Sequence, residues 1–390
     1  MKIAYIHQET KYNTGAGQIN SLIVNRLRNI GISVKGFYPK ISLNDPPLLL
    51  KGLSNILFFY TLLEHRRSIL SYDIIQGTTY TPLAFLLFKT PVVSHFGSTS
   101  YGFLESTPQA KDMEPRLRKI WVRLKSVGAL KELNIKTRRP IKDIAEIEIY
   151  VARKVNTVVA TSKKVKEELV ARGVEPDKIE IIHNAIEDYW FENKIRMATR
   201  PKLVFLGRLG EDSFTLKLKG LDRMIDIFQS FKEMEKLAVV MTRSKKLIGW
   251  LSNNIDNLNL VANYPKENIR DLLGSNGGSI LLITSRYEGF SLSMVEGMSQ
   301  GMIPIAYPVG VVPEIIKDGV NGFIVNSQTL AKQRIKLILS DNNLRLRMAR
   351  QCIKDSKKFK SDIMVNKLAN LYERIISEKK LTSKTRRRYR

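Results

Sequence analysis

Cysteine and histidine are scarce in this chain of 390 residues. The single cysteine, Cys352, excludes an internal disulfide. The four histidines lie far apart and form no zinc-binding spacing. We therefore expect a protein of a reducing compartment, the cytoplasm, without a metal cluster built from these residue types.

Long apolar runs are also missing. The longest ones, residues 56–63 and 82–88, fall well short of the roughly 18 to 20 residues that span a bilayer. The apolar stretch at residues 1–6 is too short for a signal peptide and continues into a polar loop. We expect that the chain does not cross a membrane.

Acidic residues are few, with 37 Asp and Glu against 64 Lys and Arg and a net charge of +27. Residues 111–142 hold eleven basic side chains against three acids, and residues 332–360 hold ten against two. The tail at residues 379–390 has seven basic residues and no acid. This imbalance favours an anionic partner, for which phospholipid and nucleic acid are the candidates.

The order of apolar segments predicts two doubly wound α/β domains facing each other across a cleft. The expected parts are a first domain at residues 1–187, a linker at 188–201, a second domain at 202–356, a helix at 357–378 that packs back on the first domain, and the basic tail at 379–390. Strands are predicted at residues 2–7, 34–38, 74–76, 92–95, 157–161, 179–183, 202–206, 237–241, 258–261, 280–284, 303–306 and 322–325.

Two carboxylates lie eight positions apart in residues 285–304, across a predicted strand-to-helix turn. Glu288 precedes a helix that we expect over residues 292–300, with Ser291 as N-cap and Gly301 as the C-terminal stop. Even along a continuous helix, Glu288 and Glu296 would lie about 12 Å apart, beyond the roughly 5 to 10 Å of a glycosidase pair. A helix N-terminus between them offers backbone N–H groups to an anion. Two carboxylates around an anion site fit a nucleotide sugar.

This pair resembles the E-x7-E pattern of retaining glycosyltransferases of family 4, which have the two-domain GT-B fold. The resemblance continues through PIAYPVG at residues 304–310 and PEIIKDGVNGFIV at 313–325. It implies that Glu288 accepts hydrogen bonds from the donor sugar and Glu296 from the ribose diol. The backbone N–H groups of four further residues would hold the terminal phosphate: Gly289, Phe290, Ser291 and Leu292.

The segment LGRL at residues 206–209, followed by Lys219 and Gly220, resembles the diphosphate-binding element of the same family. Arg208 and Lys219 would neutralise the charge that builds up on the departing nucleoside diphosphate. Lys217 competes with Lys219 for this role.

Two segments of the first half complete the predicted site. Gly15, Ala16 and Gly17 follow the first strand, where glycine lets the backbone approach a phosphate closely. The resemblance places this loop against the donor phosphates and the reacting sugar. It also places His95, at the end of a buried strand, beside the donor sugar as a hydrogen-bonding or acceptor-positioning group.

The resulting hypothesis is a retaining hexosyltransferase that uses a nucleotide sugar, with UDP as the expected carrier and GDP as the alternative. Its acceptor would be a hydroxyl of a lipid-linked or cell-surface glycan precursor. The chain contains no Asp-x-Asp motif, so we expect no metal and no other cofactor. The alternatives are another GT-B enzyme, an epimerase or a phosphorylase, and a basic nucleic-acid-binding protein.

Residues 115–127 predict a helix with Leu117, Ile120, Trp121 and Leu124 on one face and basic residues beside it. This pattern is typical of an interfacial helix on anionic lipid. It is equally typical of a helix whose apolar face packs on a protein core. The first interpretation predicts a peripheral enzyme on the inner face of the plasma membrane.

Overall fold

The computed structural model describes residues 1–7, 15–39, 58–130 and 138–388, and they form two compact units. The first unit comprises Met1–Leu104, Lys136–Glu187 and Phe359–Arg390. The second comprises Glu105–Ile135 and Asp188–Lys358.

The first unit is built on a parallel sheet of six strands in the order β2-β1-β3-β4-β5-β6. The strands are β1 (Lys2–Ile6), β2 (Ser33–Phe37), β3 (Ile74–Thr78), β4 (Val92–Phe96), β5 (Thr157–Ala160) and β6 (Ile179–Ile181). Its helices are α1 (Gly15–Asn29), α2 (Arg66–Ile69), α3 (Ser100–Ser106), α5 (Arg138–Lys154), α6 (Lys163–Val170) and α15 (Ser361–Arg388).

The second unit also has a parallel sheet of six strands, in the different order β12-β11-β10-β7-β8-β9. They are β7 (Leu203–Arg208), β8 (Lys236–Met241), β9 (Leu258–Ala262), β10 (Ile280–Ile283), β11 (Ile303–Ala306) and β12 (Phe323–Ile324). The helices are α4 (Pro115–Ser126), α7 (Ser213–Leu218), α8 (Leu221–Ser230), α9 (Lys245–Asn254), α10 (Lys266–Gly274), α11 (Leu292–Ser299), α12 (Val312–Ile315), α13 (Gln328–Ser340) and α14 (Asn342–Ser356).

All twelve predicted strands are present, with ends that shift by at most about two residues, as is usual for such boundaries. They were recognisable because strands of a parallel sheet are covered on both faces and read as continuous apolar runs. Every residue of β4 and of β10 is buried. The predicted helix at residues 292–300 is confirmed as α11, and Gly301 follows it with a φ of 73°.

The long C-terminal helix α15 belongs to the first unit and contacts α1. Tyr372 is fully buried there, and its hydroxyl donates to Oε1 of Gln76 on β3. Just before α15, the carbonyl of Phe359 accepts a hydrogen bond from the N–H of Ile186 at 3.0 Å. Residues 389 and 390 of the basic tail lie outside the described residues.

The expected continuous first domain of residues 1–187 needs one correction, because Glu105–Ile135 groups with the second unit. Its helix α4 packs against α8, and Arg116 forms an ion pair with Asp226. The apolar face of α4 is buried, with exposures of 5% for Leu117, 7% for Trp121 and 0% for Leu124. The structure thus favours the core-packed interpretation of this helix over the interfacial one.

Within the part of the chain that the structure describes, no helix is long and apolar enough to cross a membrane.

Candidate active site

The predicted site residues of the second unit follow strands β7 and β10, which are neighbours in the sheet. In parallel sheets, ligands bind at the carboxyl ends of the strands, where the connecting loops meet. Arg208 is the last residue of β7 and is exposed. Ser285 and Glu288 lie in the loop that follows β10.

Lys219 and Glu288 form an ion pair at the centre of this edge. Nζ of Lys219 lies 2.6 Å from Oε1 of Glu288, and the Ser285 hydroxyl donates to the same oxygen at 2.8 Å. The side chains are 30% and 16% exposed, so a ligand can reach both. A carboxylate and an ammonium in contact offer a ligand two binding groups of opposite charge at one point of the surface.

The two residues line one cavity of the second unit. Gly207, which precedes Arg208, lines it as well, and so does Ser293 of α11. The other lining residues come from β7, from β10 and from the loop after β10: Phe205, Leu206, Leu282, Ile283, Thr284 and Ser285.

The turn that carries Lys219 is pressed against the end of β10. Gly220 has a φ of 63°, and a Cβ at this position would lie 1.9 Å from the carbonyl oxygen of Thr284. No other residue type fits at that distance, so glycine is required for the close approach. The Thr284 hydroxyl donates to the carbonyl of Lys219 at 3.0 Å. These contacts fix the backbone from which the lysine reaches Glu288.

Arg286 and Asp222 form a buried two-pronged ion pair, or fork, that holds the same turn in place. The guanidinium donates to both carboxylate oxygens at 2.7 Å, and Asp222 is fully buried. Nη1 of Arg286 also donates to the carbonyl of Lys217 at 2.8 Å, and the backbone N–H of Arg286 donates to Leu218 at 2.7 Å. The pair therefore ties the loop of Glu288 to the turn of Lys219. Sequence reasoning missed it, since the two residues are 64 positions apart and neither has a local signature.

The two candidate lysines point to different neighbours. Lys219 contacts Glu288, whereas Nζ of Lys217 donates to the carbonyl of Pro108 at 3.2 Å. Lys217 also lies 5.8 Å from the ring centroid of Trp121 on α4. Of the two, the structure brings Lys219 to the cavity.

The N-terminus of α11 is positioned by Gly310. A Cβ on Gly310, whose φ is 50°, would lie 2.5 Å from the carbonyl oxygen of Glu288 and 2.7 Å from that of Gly289. Ser291 is the N-cap, as predicted, but its side chain makes no capping bond. Its hydroxyl is buried and has no hydrogen-bond partner among the described residues. Phe290 beside it is also buried.

Glu296 lies on α11 and pairs with a lysine that sequence reasoning did not select. Nζ of Lys266, the first residue of α10, lies 3.4 Å from Oε1 of Glu296. The two side chains are 28% and 12% exposed. No sequence signal could have found this pair, because Lys266 is one of many lysines of a basic chain.

His95 lies in the first unit, one residue before the end of β4, and it is 3% exposed. Its Nε2 is buried without a hydrogen-bond partner among the described residues. Burial lowers the pKa of His95 to about 4, although the neighbouring Asn184 side chain acts in the opposite direction. The imidazole is therefore neutral near pH 7, and it can hydrogen-bond but carries no charge.

The predicted glycine loop differs from its expected form. Gly15, Ala16 and Gly17 form the first turn of α1 and are therefore helical rather than part of a loop. Thr14, which precedes them, lies outside the described residues. The three residues thus place a helix N-terminus after β1, with backbone N–H groups of the kind that can bind an anion.

Two family models match the chain, one in each half. The model described as "Glycosyltransferase Family 4" matches residues 37–188, and the model described as "Glycosyl transferases group 1" matches residues 188–355. The solved structure of sucrose-phosphate synthase from Thermosynechococcus elongatus superimposes with a TM-score of 0.74 at 15% identity, covering 97% of this chain and 99% of that chain. The chain combines two glycosyltransferase domains in a GT-B fold.

Two further similarities concern these glycosyltransferase domains. HepE from Anabaena, solved in complex with UDP-glucose, has a TM-score of 0.64 at 15% identity and covers 96% of this chain and 99% of that chain. At this identity the likeness shows the fold alone. The uncharacterized glycosyltransferase MJ1069 of Methanocaldococcus jannaschii is 28% identical over 249 residues, which are 58% of this chain. The match spans about 60% of the length of that relative.

Proposed function

We propose that the protein is a retaining glycosyltransferase that moves a hexose from a nucleotide sugar to a hydroxyl acceptor. The observation that carries the proposal is the Lys219–Glu288 pair at the carboxyl ends of β7 and β10, next to the N-terminus of α11. A carboxylate suits sugar hydroxyls, whereas an ammonium and a helix N-terminus suit the phosphates.

Each residue has one part in this reaction. Glu288 accepts hydrogen bonds from the donor sugar, and Lys219 with Arg208 neutralises the leaving diphosphate. Backbone N–H groups of Gly289–Leu292 hold the terminal phosphate, and Glu296 holds the ribose. The leaving diphosphate takes the proton of the acceptor hydroxyl in a displacement on one face of the sugar. The rate enhancement comes from binding and positioning of the two substrates and from neutralisation of the charge on the leaving diphosphate.

Two residue groups of the first unit serve the same reaction in this proposal. The N-terminus of α1, at Gly15, Ala16 and Gly17, supplies N–H groups for the donor. His95 acts as a neutral hydrogen-bonding group toward the sugar or the acceptor, in keeping with its lowered pKa.

The donor we propose carries UDP, with GDP as the alternative. HepE, which shares the fold, has been solved with UDP-glucose. The acceptor we propose is a lipid-linked or cell-surface glycan precursor, because the net charge of +27 favours an anionic lipid leaflet as the place of reaction.

Product analysis tests the reaction class. The protein is incubated with UDP-glucose, UDP-galactose or GDP-mannose, with and without an octyl glycoside acceptor, and the products are followed by NMR. The proposal predicts release of the nucleoside diphosphate and a glycoside with the anomeric configuration of the donor. An inverted product contradicts retention, and an isomerised nucleotide sugar identifies an epimerase. Sugar 1-phosphate formed when an oligosaccharide and inorganic phosphate replace the nucleotide sugar identifies a phosphorylase.

We expect the transfer rate to be insensitive to chelation of metal ions. Lys219, Arg208 and helix N-termini neutralise the negative charge of the diphosphate that a metal ion would otherwise neutralise. In the described ranges, no three His, Cys, Asp or Glu side chains come close enough to hold a metal ion. Activity is measured after dialysis against EDTA and after adding back manganese or magnesium. A loss on dialysis that either metal restores would contradict this expectation.

We also expect adsorption to anionic membranes through charge rather than through insertion of α4. The apolar face of α4 is buried, while basic residues such as Lys119 and Lys125 are exposed. Each Lys or Arg near an anionic surface contributes about 1 kcal/mol. The protein should sediment with phosphatidylserine vesicles at low salt, should be released at about 0.5 M salt, and should ignore phosphatidylcholine vesicles. Failure to bind the anionic vesicles at low salt would refute the membrane proposal.

A further inference from the structure

The ion pair of Lys266 and Glu296 joins two helices that follow different strands of the second sheet. Lys266 begins α10, which follows the edge strand β9, whereas Glu296 lies in the second turn of α11, which follows β10. Their charged atoms are 3.4 Å apart, and the carboxylate side chain is only 12% exposed. A carboxylate with so little access to water needs such a partner to offset its desolvation.

The backbone before Lys266 is held in place by Asn263. This residue has a φ of 55°, a left-handed conformation that Asn tolerates. Its side chain accepts from the N–H of Thr242 at 3.0 Å and donates to the carbonyl of the same residue at 2.9 Å. Its own N–H donates to Val240 at 2.8 Å. The turn is thereby fixed to the end of β8, and Lys266 extends from a fixed point.

The helix that carries Glu296 is anchored as well. Nε2 of Gln300, directly after α11, donates to the carbonyl of Trp190 at 2.6 Å, and Gln300 is fully buried. The backbone therefore fixes the positions from which the two side chains meet. With 3.4 Å between the charged atoms, the ammonium favours the carboxylate orientation that keeps this contact.

We propose that Lys266 is a positioning residue that orients Glu296 for the diol of the donor's ribose. The inference rests on the proposed function, since it gives Glu296 its ligand. An ionised carboxylate offers about four acceptor positions, so the contact with an ammonium at Oε1 does not prevent it from accepting hydrogen bonds from hydroxyl groups. A carboxylate held in one orientation loses less rotamer entropy when the diol binds. Lys266 thus makes the site selective for ribonucleotides.

The experiment measures calorimetric affinities for UDP, 2′-deoxy-UDP and 3′-deoxy-UDP, with the guanine series in parallel. Four proteins are compared: wild type, Lys266→Met, Lys266→Arg and the control Lys245→Met. Lys245 is a matched control because it is exposed and begins α9, after the neighbouring strand β8. Circular dichroism and melting temperature verify that each variant is folded.

For Lys266→Met we expect UDP to bind about 10-fold more weakly while the deoxy analogues lose little, so that the preference for the ribose hydroxyls shrinks. Lys266→Arg should recover part of the preference, and Lys245→Met should match wild type. In turnover, KM for the donor should rise in Lys266→Met while kcat at saturating donor stays within about 2-fold, since the ribose does not react.

Two results would overturn the inference alone. Equal losses for UDP and its deoxy analogues would show that Lys266 only adds positive charge, and tighter UDP binding by Lys266→Met would show that the lysine competes with the diol. If wild type binds neither UDP nor GDP, the proposed function itself fails and the inference falls with it.

Discussion

Replacement of Glu288 by glutamine is expected to lower kcat/KM for the sugar nucleotide about 100-fold. Glutamine keeps the shape but removes the charge that strengthens each hydrogen bond to a sugar hydroxyl, and such bonds contribute about 1.5 to 3 kcal/mol. The variant also releases Lys219 from its partner at 2.6 Å. Initial rates of nucleoside diphosphate release measure the effect.

The control for this variant is Glu267→Gln, which removes an exposed carboxylate from the first turn of α10. It should keep activity within about 2-fold of wild type. If Glu288→Gln turned over at the rate of Glu267→Gln, the sugar-binding role of Glu288 would be wrong.

Replacement of Lys219 by methionine is expected to lower kcat by about 10²- to 10³-fold. A preorganised cation beside the leaving diphosphate stabilises charge that develops in the transition state, and losing one such donor has a cost of this size. Methionine keeps the aliphatic stem, and Gly220 still holds the turn against Thr284. Single-turnover rates at saturating donor separate this loss from weaker binding.

Lys217→Met is the matched comparison, since Lys217 donates to the carbonyl of Pro108 rather than to the cavity. We expect its kcat to change by less than about 3-fold, with a small loss of stability. Should Lys217→Met lose the chemistry while Lys219→Met retains it, the assignment of the phosphate lysine would have to be reversed.

Much of the fold was predictable because parallel strands have a simple signature. Strands such as β4 and β10 are buried at every position, so they read as short, mostly apolar runs followed by a turn or a helix start. The position of Glu288 was predictable for a related reason: it lies in the loop after β10, at the edge where loops of parallel sheets bind ligands.

Contacts between distant segments were beyond sequence reasoning. The fork of Arg286 and Asp222 and the pair of Lys266 and Glu296 depend on which helices the sheet order places side by side. Neither partner carries a local pattern that distinguishes it from an ordinary surface charge. The choice between Lys217 and Lys219 likewise required the direction of each side chain.

Helix α4 shows a different limit of pattern analysis. An apolar stripe with Trp121 and Leu124, flanked by arginines and lysines, has the same period whether it meets lipid or protein. Only the position of α8, with Asp226 in contact with Arg116, reveals that the stripe is covered. For the same reason, the grouping of Glu105–Ile135 with the second unit could not be read from composition.

The central claim, that Glu288 and Lys219 hold one sugar nucleotide in the second unit, is tested most directly by thermal stabilisation. Wild type and Glu288→Gln are melted with UDP, GDP and ADP and with the corresponding hexose nucleotides; a ligand at 100 times its Kd adds about 2.7 kcal/mol. We predict that one of the three nucleoside diphosphates raises the melting temperature of both proteins equally. Its sugar nucleotide should stabilise wild type further but leave Glu288→Gln at the level of the diphosphate. An equal response of both proteins to the sugar nucleotide, or no response to any nucleotide, would contradict the account.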